Sequence, residues 1–315
     1  MILSTIRRWS TPNRGTGSAN RRLPMNLSKA KSYWERNPEI ASKDQWTGNP
    51  LIAEAVYRRI SAGESSDHWL AWLLRDYFKK QRFARVLSPG CGAGDHEVAM
   101  MSFGTINHLD AFDFSESSLV IAREKAAANN ININFYLDDI NEFEVPSGRK
   151  YDMILCSGSV HHVREIERFF RVVKGALTSD GVFVFNEYVG PCYNVYPHEQ
   201  LDVINRLLQA IAPDFRRRQK LDQTTVEFCL AHDPSESVRS SLILPFASAY
   251  FEVELCRPYG GTVLHPLYPL LKHDAMSKPT PEMQSVMRLL IEFEAILVEK
   301  GVLASDFVLC VCRKK

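Results

Sequence analysis

Arg85-Val86-Leu87-Ser88-Pro89-Gly90-Cys91-Gly92-Ala93-Gly94 decides the fold, because an apolar stretch suited to a buried strand runs directly into a three-glycine turn. Residues 95–103 then read as a helix, and about one strand–helix unit later a second apolar strand ends at Asp113. A strand, a glycine turn and an acid at the next strand tip make the nucleoside-binding half of an open α/β sheet. Glycine spacing narrows the ligand. A dinucleotide fingerprint places its third small residue where Asp95 stands, whereas here that residue comes one step earlier, as Gly94. No pyrophosphate is expected on the helix N-terminus, and the Asp95 carboxylate would repel one.

Further strands are expected near residues 132–137, 152–157 and 182–188, alternating with helices, which argues for a doubly wound, mostly parallel α/β sheet. Ser115 is placed to cap a helix carrying Leu119, Ala122 and Ala126 on one face. Residues 165–177 read as the next helix, with Ser179-Asp180-Gly181 as the turn into the fifth strand. Ahead of the sheet, residues 32–80 are helical and aromatic, broken at Gly48-Asn49-Pro50 and at 62–66.

After Gly190 the rhythm breaks. Residues 191–249 are too long for a simple crossover; they hold a helical pattern at 198–211, the basic cluster Arg216-Arg217-Arg218 and a turn at Asp233-Pro234-Ser235. Residues 251–256 and 307–312 read as the last two strands. Between them come a Pro- and Gly-rich loop, 258–269, and a helix with Met283, Val286, Leu290, Phe293 and Leu297 on its apolar side. The expected division is a disordered basic tail (1–30), a helical cap (31–80), the ligand-binding core (81–190), a helical insertion acting as substrate lid (191–250) and a segment completing the core (251–315).

Charged residues at 24% and a net charge of +1 give no overall electrostatic footprint for nucleic acid. No apolar run approaches the roughly 18 residues that span a bilayer. The seven cysteines are scattered and odd in number, which favours reduced thiols and a cytoplasmic protein. Basic residues from Arg7 to Lys31 precede the first acid, Glu35. They suit a disordered tail, an acid-free targeting leader, or a region upstream of a start at Met25.

Over residues 83–187 the chain resembles the class I S-adenosylmethionine-dependent methyltransferases, on the order and spacing of the glycine turn, Asp113 and the strands that follow. The resemblance implies S-adenosyl-L-methionine as cofactor and a seven-stranded sheet closed by an antiparallel pair. It places the amino acid end of the cofactor at Gly90, Cys91, Gly92 and Gly94. The ribose hydroxyls fall to Asp113, beside Phe114. Asp139 takes the adenine amino group, with Ile140 against the ring and Asp138 as the alternative register, and Ser157 passes under the methionine portion. One departure stands out: the family often carries an acid just before the turn, where this chain has Ser88.

His161 and His162 follow the fourth strand. An imidazole titrates near neutrality and accepts a proton from an oxygen or nitrogen nucleophile, so His162 is the first candidate base and His161 the second, with a packing or cofactor-orienting histidine as the alternative. Glu187 ends the fifth strand on the same edge, to orient a histidine, bind substrate or cap the next turn. The Asn/Asp-Pro-Pro-aromatic box used on planar amino groups is missing, Pro191-Cys192 lacks a second cysteine after the fourth strand, and His232, His265 and His273 are too dispersed for a metal site. The expectation is methyl transfer to a small or medium-sized acceptor, oxygen before nitrogen or carbon. A modifier of RNA or protein, and a non-catalytic cofactor-binding scaffold, are the alternatives. Oligomeric state is left open.

Overall fold

Seven strands build the protein: β1 (Phe83–Pro89), β2 (Ile106–Asp113), β3 (Asn134–Leu137), β4 (Tyr151–Ser157), β5 (Leu177–Tyr188), β6 (Phe251–Gly260) and β7 (Phe307–Lys314). They form one sheet in the order β3-β2-β1-β4-β5-β7-β6 in a computed structural model that describes residues 27–37, 45–278 and 280–315. The first five strands pair in parallel, whereas β7 runs antiparallel to both β5 and β6. Chain order reverses between β1 and β4, so a crevice opens beyond their carboxyl ends, where open α/β sheets take their ligands.

Helices cover both faces, which is why the central strands are apolar on both sides. They are α1 (Leu27–Arg36), α2 (Pro50–Ile60), α3 (Asp95–Ser102), α4 (Glu116–Ala128), α5 (Ile166–Ala176), α6 (His198–Ala210), α7 (Val226–His232), α8 (Ile243–Tyr250) and α9 (Pro281–Glu299), with shorter turns between. Val86, Leu109, Met153 and Val184 face a core shared with α2, α3, α6 and α9. Their neighbours Leu87, Phe112, Ile154 and Phe183 face one shared with α5 and α8. Ser115 caps α4 by accepting from the Ser118 N–H. Among the described residues no helix is long and apolar enough to cross a membrane.

Four expectations need correction. Helix α1 begins at Leu27, inside the segment expected to be tail; residues 1–26 of that segment lie outside the described residues. Ser179-Asp180-Gly181 is not a turn before the fifth strand but part of β5, at a register jump from Tyr151↔Leu177 to Met153↔Val182. The loop expected at 258–269 is partly ordered, since β6 runs on to Gly260 and Leu264–Leu267 is helical. On α9 the buried stripe is Met283, Met287, Leu290 and Glu294, while Phe293 is 40% exposed.

Glu294 displaces the apolar register because its carboxylate is fully used. It accepts from the Gly261, Val263 and Leu264 N–H groups and pairs with Arg59 of α2 at 3.2 Å. A buried charge is tolerated when its lone pairs are filled in this way.

Candidate active site

At the carboxyl end of β1 the chain turns through Gly90 and Cys91, whose N–H groups both donate to the Phe112 carbonyl of β2. Asp113 continues the lock: one carboxylate oxygen accepts from Gly92 N–H and the other from Ser115 N–H, each at 2.9 Å. The glycine turn and the start of α4 are thereby held to one side chain. Each carboxylate oxygen keeps a further lone pair for a ligand. Burial raises the Asp113 carboxyl, opposed by the same backbone donors.

Beside this turn is a cavity of about 190 Å³. Gly90, Cys91, Gly92, Asp113, Phe114, Asp139, Ile140 and Ser157 all line it, together with Asp138, Gly158, Trp34 of α1, His162 and Ser235 of the insertion. Gly94, expected among them, does not. Its φ is +78°, and a Cβ there would stand 2.8 Å from the Ala122 Cβ, so this glycine lets α3 approach α4. Asp138 and Asp139 both remain on the wall: Asp139 accepts from Asn141 N–H at 2.8 Å, and Asp138 from Asp139 N–H at 2.8 Å.

The cavity suits S-adenosyl-L-methionine on two observations. Its described lining holds three carboxylates and no lysine or arginine, a setting for ribose hydroxyls, amino groups and a sulfonium cation but hostile to phosphate. A Cβ built on Gly92 or Gly158 would meet nothing within 4 Å, so both glycines leave open space beside the backbone where a ligand can approach.

Ser88 also finds an explanation. Its hydroxyl donates to Glu97 of α3 at 2.5 Å, and that carboxylate, 2% exposed, is lifted by burial to about 7. An acid thus stands at the end of β1, supplied from the helix instead of the strand. Strand position alone does not reveal it, because the acid lies nine residues on, in α3.

A second cavity, about 340 Å³, shares Ser157 and Gly158 with the first. Aromatic side chains from remote segments line it: Trp46, Tyr57, Trp69, Tyr188, Tyr259 and Phe307. Trp46 and Tyr259 stack at 6.3 Å and 11°. Two lining histidines are held neutral, with burial lowering His68 and pushing His96 down to about 4. Ser157 and His161 are the lining residues that the sequence singled out; the aromatic walls were legible only as the helical, aromatic character of residues 32–80.

The histidine pair divides between the two cavities. The tight helical turn Val160–His162 sends His162 to the cofactor-sized cavity and His161 to the aromatic one. His162 Nδ1 lies 3.1 Å from the Ser235 carbonyl, its ring edge-on to Trp34. Burial, then the charge of His161, lowers its affinity for a proton. His161 Nδ1 meets Glu187 at 2.8 Å. Burial alone would lower His161, but the charge and hydrogen bond of Glu187, with Glu236 and Asp233 behind, lift it to about 9. Glu187 lines neither cavity: its other oxygen accepts from Ser159 and Val160 N–H, both at 2.6 Å, so it positions the turn and the imidazole.

A methyltransferase-domain family model matches residues 80–233. The chain is 25% identical over 121 residues to a malonyl-[acyl-carrier protein] O-methyltransferase of Bacillus cereus, covering 38% of this chain and 44% of that protein. It is 29% identical over 101 residues to a ubiquinone biosynthesis O-methyltransferase of Coxiella burnetii, covering 32% and 42%. The match thus spans less than half the length of either curated relative. Among solved structures, an S-adenosylmethionine-dependent methyltransferase of Mesorhizobium loti aligns over 78% of this chain and 98% of that one, at 18% identity and a TM-score of 0.46, too distant to bear on activity. The span matched by the family model contains β1 to β5 and every described residue of the cofactor-sized cavity except Ala30, Trp34 and Ser235. Residues 80–233 match a methyltransferase domain, and the sheet and cavity they form are consistent with the class I S-adenosylmethionine-dependent methyltransferases.

Proposed function

We propose that this protein transfers a methyl group from S-adenosyl-L-methionine to a hydroxyl of a small, uncharged, flat or apolar acceptor seated in the aromatic chamber. The observation that carries this reading is the junction: the two cavities meet at Ser157 and Gly158, and His161 stands on the acceptor side of it. The two curated relatives described above are O-methyltransferases by name, which supports oxygen as the methylated atom. The chamber wall carries no lysine, arginine, aspartate or glutamate among its described residues, which favours a neutral acceptor. Arg216, Arg217 and Arg218 line neither cavity, which favours a small acceptor over a macromolecule. All seven cysteines are free thiols, in keeping with a reducing, cytoplasmic setting.

When bound, the cofactor supplies the methyl group and departs as a thioether. The chain's own residues do the rest. Asp113 and Asp139 accept from the nucleoside, Gly92 and Gly158 give it room, and the aromatic walls exclude water while aligning the hydroxyl. Nε2 of His161 takes the hydroxyl proton as the oxygen bonds to carbon. Glu187 holds the ring through Nδ1, which leaves Nε2 as the nitrogen that accepts the proton, and it stabilises the imidazolium that forms. His162, on the other side of the turn, helps to wall the cofactor.

The test is a panel of phenols, enols and aliphatic alcohols, with demethylated cofactor and methylated product measured by mass spectrometry. Turnover of phenolic or enolic hydroxyls above carboxylic acids and amines is the expected result. Preferential methylation of an amine, or of RNA or protein in extract fractions, would overturn it.

A further inference from the structure

Three side chains at and beside the Val160–His162 turn are arranged as metal ligands. One donor atom each from His161, His162 and Glu236 lies within 4.8 Å of the other two, and His161 Nε2 stands 3.9 Å from the Glu236 carboxylate. A zinc ion with ligands at about 2.0–2.1 Å holds them about 3.4 Å apart, so closing on an ion needs movements of roughly an ångström.

The outer partners give a second, independent observation. Metal-binding histidines generally donate the far ring nitrogen to a carboxylate or a backbone carbonyl, which fixes the ring and leaves the other nitrogen for the ion. Both arrangements occur here. His161 Nδ1 is held by Glu187 at 2.8 Å, and His162 Nδ1 by the Ser235 carbonyl at 3.1 Å. The His161 ring is thereby left with Nε2 free of that partner, 3.9 Å from the Glu236 carboxylate. Glu187, Glu236 and Asp233 surround the pair with negative charge, a field that favours any cation.

We propose that His161, His162 and Glu236 bind one divalent transition-metal ion of the zinc class, and that its occupancy stops methyl transfer by taking the His161 nitrogen. Two imidazoles and one carboxylate suit zinc and its neighbours over magnesium or calcium, which prefer oxygen. Three protein ligands leave a position for water. Glu236 and Ser235 belong to the insertion while the histidines belong to the core, so the ion also clamps the two together. The inhibitory part rests on the function proposed above; the binding site does not.

The experiment is calorimetric titration of metal-free full chain with ZnCl2, repeated with Glu236→Gln and His162→Gln. One equivalent per chain is expected. Each substitution should weaken it at least about tenfold, and a metal-free melting curve matching wild type checks that the variant is folded. In parallel, turnover should fall in step with zinc occupancy and ignore MgCl2. Absence of stoichiometric binding, or binding that both folded variants leave unchanged, overturns the site. Full turnover at full occupancy overturns the inhibition. If the chain methylates nothing in the panel, calorimetry still reads the metal site, so the two ideas fail separately.

Discussion

The two cavities that meet at Ser157 and Gly158 were built from the chain in different ways. The cofactor side is made mostly of short runs at successive strand tips: the turn after β1, Asp113 and Phe114 after β2, Asp138 to Ile140 after β3, Ser157 to Ser159 after β4. The acceptor side gathers single side chains from segments as distant as Trp46 and Phe307. One wall is written as local motif and the other as tertiary packing. The first is therefore expected to be stiff and chemically specified, the second open to substitution.

The largest effect expected from breaking this contrast is at the junction. Replacing His161 by Ala should lower kcat by about 10²–10⁴-fold, the usual range for a general base, with cofactor affinity unchanged by calorimetry. The same loss from His162→Ala, with none from His161→Ala, would return the base to the cofactor side. In chelator-treated protein the imidazole must shed its proton before it can accept one. With His161 lifted to about 9, kcat/KM should climb as pH rises toward that value and then level off.

On the cofactor side, Asp113→Ala removes a ligand acceptor and the tie between Gly92 and Ser115. Cofactor binding should weaken by at least about 1–3 kcal/mol, measured by calorimetry; unchanged binding would remove the ribose assignment. On the acceptor side, Trp46→Ala unstacks Tyr259 and enlarges the chamber. It should raise the acceptor KM roughly tenfold while leaving cofactor affinity alone. A shift in cofactor affinity of similar size would show that the two walls are not independent.

The smallest effect concerns Glu97. Its folded-state value of about 7 lies above the ordinary 4.5, so between those pH values the folded chain keeps a proton that the unfolded chain has lost. Stability therefore falls as pH rises through that window and is level above it. Glu97→Gln should remove this slope and raise Tm at pH 8, relative to wild type, by roughly 2–4 °C more than at pH 5. Asp306, also raised by burial to about 7, keeps part of the slope in the variant.

Legibility followed the same division. Gly90 to Gly92, Asp113, Asp139 and Ser157 were readable because each sits at a strand tip whose hydrophobic run is itself visible, so local spacing carries the geometry. His161 and His162 were readable as a pair but not as separate agents, because adjacent residues in a tight turn point to different cavities and only the three-dimensional turn says which. Glu97 was missed because a side chain nine residues from Ser88 fills a place that strand position alone does not describe. Phe293 was misassigned and Glu294 passed over because helical periodicity follows apolar residues, whereas here three backbone N–H groups and Arg59 draw a carboxylate inward.

That carboxylate reaches further than its own helix. Arg59, its partner, also donates to the Tyr259 carbonyl, while Tyr57 stands two residues before Arg59, so two residues lining the acceptor chamber are tied to one ion pair. A change on α9, remote from any bound molecule, would then retune which compounds are accepted. Searches for altered selectivity should sample that hinge pin as well as the rings themselves.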